Sequence, residues 1–300
     1  MDTAPLLNTY LRQLRLPTFI EHYQRLADEA THANLSYERF LLALAEQEVA
    51  QRTQQRQAQC IKQAHFPSLK ELADFDFTAL PTLNRARVLD LARGHYIGQA
   101  ETILLIGNPG LGKTHIATSL ALAACRQGQR VRFYTAAGLV NDLLAAQDDH
   151  RLSRFLDGML KHRVVVLDEL GFLPLSQVGA QLVFQCCSAL HERVALIVTT
   201  NLRFADWPQV FGSESLTAAL LDRLTARSHI LEFIGESYRL KRRRRREEAG
   251  WLNEIVPGSD PGATAPTDGT PPAVDSAGSL RCDPPGRADR TAKSQPPPSS

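Results

Sequence analysis

The sequence predicts an α/β protein in which helices cover both faces of a parallel sheet. Between Asp76 and Glu248, short apolar runs alternate with stretches of helical character, a pattern typical of parallel sheets. A glycine-rich loop follows the first of these runs and leads into a helix-forming segment. Strand, glycine-rich loop and helix in that order are the context in which such loops bind phosphate.

Composition is typical of a globular protein. The 300 residues are 43% hydrophobic and 22% charged, with a formal net charge of +2. No apolar run approaches the roughly 18 residues that a transmembrane helix needs, and the amino terminus lacks the basic-then-apolar order of signal peptides. The odd number of five cysteines is typical of reduced thiols. We therefore expect a cytoplasmic protein with no membrane partner.

Composition also divides the chain into three parts. Residues 1–75 contain no glycine and place apolar residues at helical spacing, which predicts an N-terminal helical domain in which Ser36 caps a helix. Residues 76–248 carry the alternating pattern of the α/β domain. Residues 249–300 hold 10 of the 17 prolines and few large apolar side chains, so we expect a disordered tail.

The strongest functional signal is a loop that matches G-x-x-x-x-G-K-S/T. Its glycines let successive backbone N–H groups face one anion, and the following helix adds its positive end. Lys113 is expected to bind the β- and γ-phosphates of ATP, and the Thr114 hydroxyl to ligate Mg²⁺. For His115, the first helical turn favours a structural role over that of a catalytic base. The predicted nucleotide-binding segment is Gly107, Asn108, Pro109, Gly110, Leu111, Gly112, Lys113, Thr114 and His115.

A second apolar strand ends in two carboxylates, Asp168 and Glu169. Asp168 is expected to hold Mg²⁺ together with Thr114, as in phosphate-loop ATPases. Glu169 is expected to polarise the attacking water as a general base. The alternative is a pair of acids at an exposed strand end with no catalytic role.

A third apolar strand, residues 195–199, leads into Thr200 and Asn201. A strand placed between the other two would bring Asn201 beside the attacking water, where its amide both donates and accepts. A strand-terminating turn is the alternative.

Several cations are candidates for further roles. Nucleotide hydrolysis commonly needs an added cation, often from a neighbouring subunit, and Arg223 and Arg239 are available. The alternative for each is an ordinary surface arginine. Six consecutive cations, Lys241 to Arg246, are suited to bind phosphates without sequence preference, or form a solvated helix end.

Taken together, these segments resemble a known family. The sequence resembles IstB, the helper ATPase encoded beside the transposase in a group of bacterial insertion sequences, and more distantly the helicase loaders of the DnaC type. The resemblance covers about residues 5–248. It is carried by Asp74–Phe77, Gly107–His115, Leu167–Gly171, Thr199–Asn201, Phe204–Trp207, Asp222–Leu224 and Gly235–Leu240.

The resemblance implies an AAA+ ATPase domain and an N-terminal helical domain used for assembly. It implies ATP-dependent homo-oligomers on duplex DNA, bound with little sequence preference, that stimulate a transposase. ATP would lie at subunit interfaces, where Asn201 senses the γ-phosphate. In this family's pattern Arg223 is supplied to the neighbouring protomer and Arg239 acts in cis. Arg227 competes with Arg223 for the first of these roles.

Two alternative functions stay open at this point. One is a DnaC-like helicase loader in DNA replication, against which the Gly235–Leu240 segment favours transposition. The other is a DNA-binding assembly module that ATP switches with little hydrolysis, against which the intact Asp168 and Glu169 argue.

Overall fold

The computed structural model describes residues 3–238 and Arg243. These residues belong to one compact unit, Met1–Asn253. The predicted tail at residues 249–300, Arg239 and the run Lys241 to Arg246 apart from Arg243 lie outside the described residues.

The described chain begins with three helices, α1 (Ala4–Gln13), α2 (Pro17–His32) and α3 (Tyr37–Ala64). Proline stands in the first turn of α1 and of α2, where its missing N–H would in any case lack a helical partner. The Ser36 hydroxyl accepts a hydrogen bond from the Arg39 N–H at 3.4 Å, so Ser36 caps α3 as predicted. The three helices pack in sequence, α1 on α2 and α2 on α3.

A parallel sheet follows, and it confirms the predicted α/β class. Its strands are β1 (Thr102–Gly107), β2 (Val131–Thr135), β3 (Val164–Leu170), β4 (Ala195–Thr200) and β5 (Ser228–Phe233). Within the described part of the chain these five strands have the order β2-β3-β4-β1-β5, and every neighbouring pair is parallel. The third apolar strand, β4, therefore lies between β1 and β3, which is the arrangement that brings its end beside both motifs.

Helices cover both faces of this sheet through two buried clusters. The α-helices of the described chain after α3 are α4 (Arg85–Leu91), α5 (His95–Gly98), α6 (Lys113–Arg126), α7 (Ala136–Asp148), α8 (Leu152–Met159), α9 (Gln177–Leu190), α10 (Pro208–Phe211) and α11 (Glu214–Thr225). One cluster packs α6 and the end of α3 on one face, and the other packs α7, α9 and α11 on the opposite face. Each fully buried Leu, Ile or Val in these clusters contributes about 1.5–3 kcal/mol to the stability of the fold.

The second half of α3 is part of the sheet's core. Cys60 and Ala64 are buried in the same cluster as α6, and the Gln57 side chain donates to the Arg126 carbonyl at 2.6 Å. The long third helix thus joins the N-terminal helices to the sheet. The division into domains at residue 75 stays a prediction.

Two adjacent cysteines lie in the core of the fold. Cys186 and Cys187 are buried on α9, and burial raises the pKa of the Cys186 thiol to about 12. A thiol that stays protonated is a poor nucleophile, which fits a packing role for both residues.

Across the described residues, no helix has the length and apolar character to cross a membrane.

Candidate nucleotide site

The glycine-rich loop joins β1 to α6 at the carboxyl edge of the sheet. Gly107 has a φ of 149°, and a Cβ there would lie 2.2 Å from the Phe233 backbone oxygen. Gly112 has a φ of 90°, and a Cβ there would lie 2.6 Å from the Phe75 ring. Both positions combine a positive φ with close approach of a neighbour, so only glycine fits them.

Lys113 begins α6 and turns its ammonium back over the loop. Its Nζ donates hydrogen bonds to the carbonyls of Gly107 at 2.6 Å and Asn108 at 2.8 Å. The residue is only 7% exposed, and a buried charge is tolerated when it is hydrogen-bonded in this way. The loop's concave side therefore already holds the cation that a phosphate would meet.

Thr114 and Asp168 are brought together from different elements. The Thr114 hydroxyl donates to the Asp168 Oδ1 at 2.9 Å, which joins the first turn of α6 to the carboxyl end of β3. A hydroxyl and a carboxylate held side by side are the oxygen ligands that Mg²⁺ prefers. This donor set fits the predicted metal role of the two residues.

A residue that sequence reasoning gave no role of its own lies beside them. The Thr199 hydroxyl donates to Asp168 Oδ1 at 2.6 Å and accepts from the Glu169 N–H at 2.8 Å. Thr199 is 1% exposed, so its hydroxyl has no water as a substitute partner. It links both acids to β4. Its place beside Thr200 and Asn201, at the end of the third apolar strand, was the signal that could have found it.

Glu169 occupies an irregular position at the end of β3. Its φ is 61°, which is uncommon for a residue other than glycine. The pairing of β3 with β4 shifts register between Leu167 and Leu170, as happens where an extra residue is accommodated in a strand. As a result the Glu169 side chain is exposed while Asp168 is buried. Irregular backbone of this kind clusters at active sites.

Asn201 lies at the same edge of the sheet. It follows Thr200, whose register partner on β3 is Leu170, one residue after Glu169. Asn201 is half-buried. Glu169 and Asn201 therefore lie at the ends of two neighbouring strands.

The two candidate arginines of the described chain do not lie at the chain's own phosphate loop. Arg223 places its guanidinium 4.6 Å from the centre of the Phe184 ring and donates to the Ala219 carbonyl at 3.1 Å. Arg227 is exposed, and its carbonyl accepts from the Thr102 N–H at 2.9 Å, at the start of β1 rather than its end. The third candidate, Arg239, lies outside the described residues.

His115 faces the segment that precedes the sheet. Its Nε2 donates to the Glu71 carbonyl at 2.8 Å, and its ring meets Phe75 edge-on at 5.3 Å between centroids. The ring is thus engaged with protein groups in a way that fits a structural role. Its assignment to the nucleotide-binding segment stays a prediction.

The loop is braced on its other side by the chain that follows β5. The Tyr238 N–H donates to the Gly110 carbonyl at 3.0 Å. A Cβ at Gly110 would lie 2.2 Å from the Ser237 Oγ. The sequence indicated Arg239 and the family resemblance in this segment but not its contact with the loop, because the two are far apart along the chain.

The geometry of this edge can be set beside known proteins. A family model for IstB-like ATP binding proteins matches residues 9–246. The chain belongs to this family. The IstB-like match spans all five strands, the phosphate loop and the carboxylates of β3. The fold is α/β with a parallel sheet, as predicted.

Curated relatives agree with the IstB-like assignment. An ATP-binding protein of insertion sequence IS21 from Pseudomonas aeruginosa is 37% identical over 239 residues, which are 80% of this chain and 90% of that protein. An ATP-binding protein of insertion sequence IS5376 from Geobacillus stearothermophilus is 36% identical over 242 residues, or 81% and 96%. Among solved structures, the DnaC helicase loader is 22% identical with a TM-score of 0.43, covering 50% of this chain and 87% of its own.

Proposed function

We propose that this protein is a cytoplasmic, ATP-hydrolysing helper of DNA transposition that assembles on duplex DNA and stimulates its transposase. The observation that carries the ATPase is the hydrogen bond between Thr114 and Asp168, which sets the phosphate loop against the carboxylates of β3. The relatives' names, each an ATP-binding protein of an insertion sequence, support the role in transposition.

Each residue of the carboxyl edge has a separate role in hydrolysis. Lys113 and the loop N–H groups bind the phosphates. Thr114 and Asp168 would hold Mg²⁺, which neutralises charge that develops on the phosphate oxygens. Glu169 accepts a proton from the attacking water, and Asn201 orients that water through its amide.

Assembly would supply the arginine that a single chain does not place at its own phosphate loop. Arg223 or Arg227 from a neighbouring copy would stabilise the transition state at a shared interface. The N-terminal helices support homo-oligomer formation, because they expose apolar side chains that mark protein–protein surfaces. The exposed ones are Leu6, Leu7, Tyr10, Leu14, Leu35, Tyr37, Leu41, Leu42 and Val49.

The first test is the ATPase rate with and without duplex DNA, beside a Lys113→Ala control. We expect DNA to raise the rate in the wild type and the control to lose hydrolysis, because its loop lacks the ammonium. Hydrolysis indifferent to DNA would contradict the proposal and favour a loader activated by another protein. No hydrolysis under any condition would favour an assembly module.

The shared interface has its own test. If ATP lies between copies, turnover per subunit falls on dilution as the assembly dissociates. Turnover that stays flat across dilution would contradict ATP at subunit interfaces while leaving the ATPase itself in place.

A further inference from the structure

The amino edge of the sheet, opposite the phosphate loop, carries a group of exposed cations. Arg130 precedes β2, and Lys161 and Arg163 precede β3; all three are exposed. The Arg163 N–H donates to the Arg130 carbonyl at 2.8 Å, so the ends of the two strands are held together. The cations therefore stand on ordered backbone at one edge.

A fourth cation reaches the same edge from α3. A Cβ at Gly128 would lie 3.1 Å from the Arg56 Nε, which places the exposed Arg56 guanidinium against the turn two residues before Arg130. We define Arg56, Arg130, Lys161 and Arg163 as the cationic edge.

The half-buried His162 lies between Lys161 and Arg163 in the sequence, and its pKa is affected by the positive charges nearby. Burial and the nearby charges of Arg132 and Arg130 lower its pKa. Arg132 itself lies over the Tyr134 ring, 4.8 Å from its centre. At neutral pH the imidazole is therefore uncharged, and the positive charge of the edge rests on its arginines and lysine.

These four cations lack carboxylate partners among the described residues. Some arginines elsewhere on the surface are paired, namely Arg25 with Glu29, Arg93 with Asp90 and Arg203 with Asp206; what sets this edge apart is that its unpaired cations lie on adjoining segments held together at the starts of β2 and β3. A group of unpaired cations raises the local positive potential and attracts a polyanion.

We propose that the cationic edge binds the phosphate backbone of duplex DNA, at the edge of the sheet opposite the nucleotide. This assignment rests on the proposed function and locates the DNA in it. A row of arginine and lysine positions a backbone without reading bases, which suits binding with little sequence preference. The large apolar side chains exposed in the described chain fall outside residues 128–134 and 160–164, which disfavours a membrane or an amphipathic peptide as the partner.

The test is binding of a fluorescent duplex of mixed sequence to the triple variant Arg130→Gln, Lys161→Gln, Arg163→Gln. Each neutralised contact removes about 0.9 from the slope of log K against log salt. We therefore expect at least tenfold weaker binding and a slope smaller by about 2–3. The matched control is Arg25→Gln, Arg93→Gln, Arg203→Gln, which changes net charge equally but at paired arginines, and it should bind as the wild type does.

The outcomes separate this proposal from the proposed function. A wild type that fails to bind DNA would contradict the proposed function. A wild type that binds, with a triple variant that matches the control in affinity and salt slope, would overturn the cationic edge alone. A third protein with Arg242–Arg246 changed to glutamine tests the other basic segment, and a loss confined to it would also overturn the proposal.

Folding is checked by the thermal midpoint and by binding of a fluorescent ATP analogue. Should the triple variant unfold, Lys161→Gln and Arg163→Gln are measured singly, and each is expected to lower the salt slope by about 0.9. An unchanged slope in both would overturn the proposal.

Discussion

The two edges of the sheet carry opposite kinds of polar surface. At the carboxyl edge, Lys113, Asp168 and Thr199 are 7%, 4% and 1% exposed and are held by short hydrogen bonds. At the amino edge, Arg130 and Arg163 are exposed and without carboxylate partners among the described residues. The carboxyl edge is a site with fixed geometry, and the amino edge is a group of exposed positive charges.

The two edges should respond differently to substitution of their side chains. A fixed site recognises a compact ligand, so the loss of one atom removes a specific contact and the effect is large. A group of exposed cations binds an extended polyanion through the summed attraction of many charges. The loss of one cation therefore weakens binding only modestly, and the effect depends on salt. Single substitutions should therefore have larger effects at the carboxyl edge than at the amino edge.

The largest effect is expected at Glu169. Glu169→Gln removes the general base but keeps the side chain's size, so hydrolysis should fall about 10²- to 10⁴-fold while ATP binding persists. Steady-state ATPase rates and binding of an ATP analogue measure both. The matched control is Glu192→Gln, which alters an exposed glutamate that also has a positive φ of 57° but precedes β4 at the other edge. Equal rates in the two variants would remove Glu169 from catalysis.

A smaller effect is expected at Thr199. Thr199→Val leaves the buried Glu169 N–H without its acceptor, a cost of about 1–3 kcal/mol. We expect kcat to fall about 5- to 100-fold and the Mg²⁺ requirement to rise, with little change in KM for ATP. Thr199→Ser should restore activity.

The control for Thr199 is its neighbour. Thr200 is equally buried, and its hydroxyl accepts from the Leu202 N–H at 3.1 Å, away from Asp168. If Thr200→Val reduced kcat as much as Thr199→Val, a general loss of packing would explain both.

Substitutions in the N-terminal helices are expected to have the smallest effect on ATP hydrolysis and DNA binding, and to act on stability instead. Glu48 of α3 is 5% exposed and accepts from the Thr18 N–H at 3.1 Å and from Arg52 Nε at 2.6 Å. Burial opposes ionisation, but these hydrogen bonds outweigh it and lower the pKa of Glu48. A lowered pKa stabilises the folded protein above the carboxyl's unfolded pKa, and that stability is lost as pH falls below about 4.

Glu48→Gln should therefore lower the free energy of unfolding at neutral pH by about 1–3 kcal/mol and remove this part of the acid sensitivity. Denaturant unfolding at several pH values measures both changes. A variant whose stability falls with acid as steeply as the wild type's would contradict the role of this carboxylate.

The sequence predicted those features that are local or that follow from the parallel direction of the strands. The phosphate loop and the acids Asp168 and Glu169 follow from short patterns, and their meeting at one edge follows from the rule that the ends of parallel strands lie together. The capping of α3 by Ser36 is equally local. Their physical causes lie within a few residues.

What the sequence did not predict depends on contacts between distant segments. Thr199 bridges the two acids only because β4 is hydrogen-bonded to β3, and Phe75 meets Gly112 only after the chain has folded back. The cationic edge is a further case, because Arg56 and Arg130 are far apart in sequence. Charge composition alone, at a net +2, gave no sign of it.

The binding of ATP and DNA at opposite edges can be tested through the concentration of duplex DNA that gives half-maximal stimulation of ATP hydrolysis. This concentration is compared between the wild type and the Arg130→Gln, Lys161→Gln, Arg163→Gln variant. If ATP and DNA bind opposite edges of the sheet, the variant reaches the same stimulated rate but needs at least tenfold more DNA. An unchanged half-stimulating concentration would contradict the placement of DNA at the cationic edge, and a rate that DNA does not affect would contradict the coupling itself.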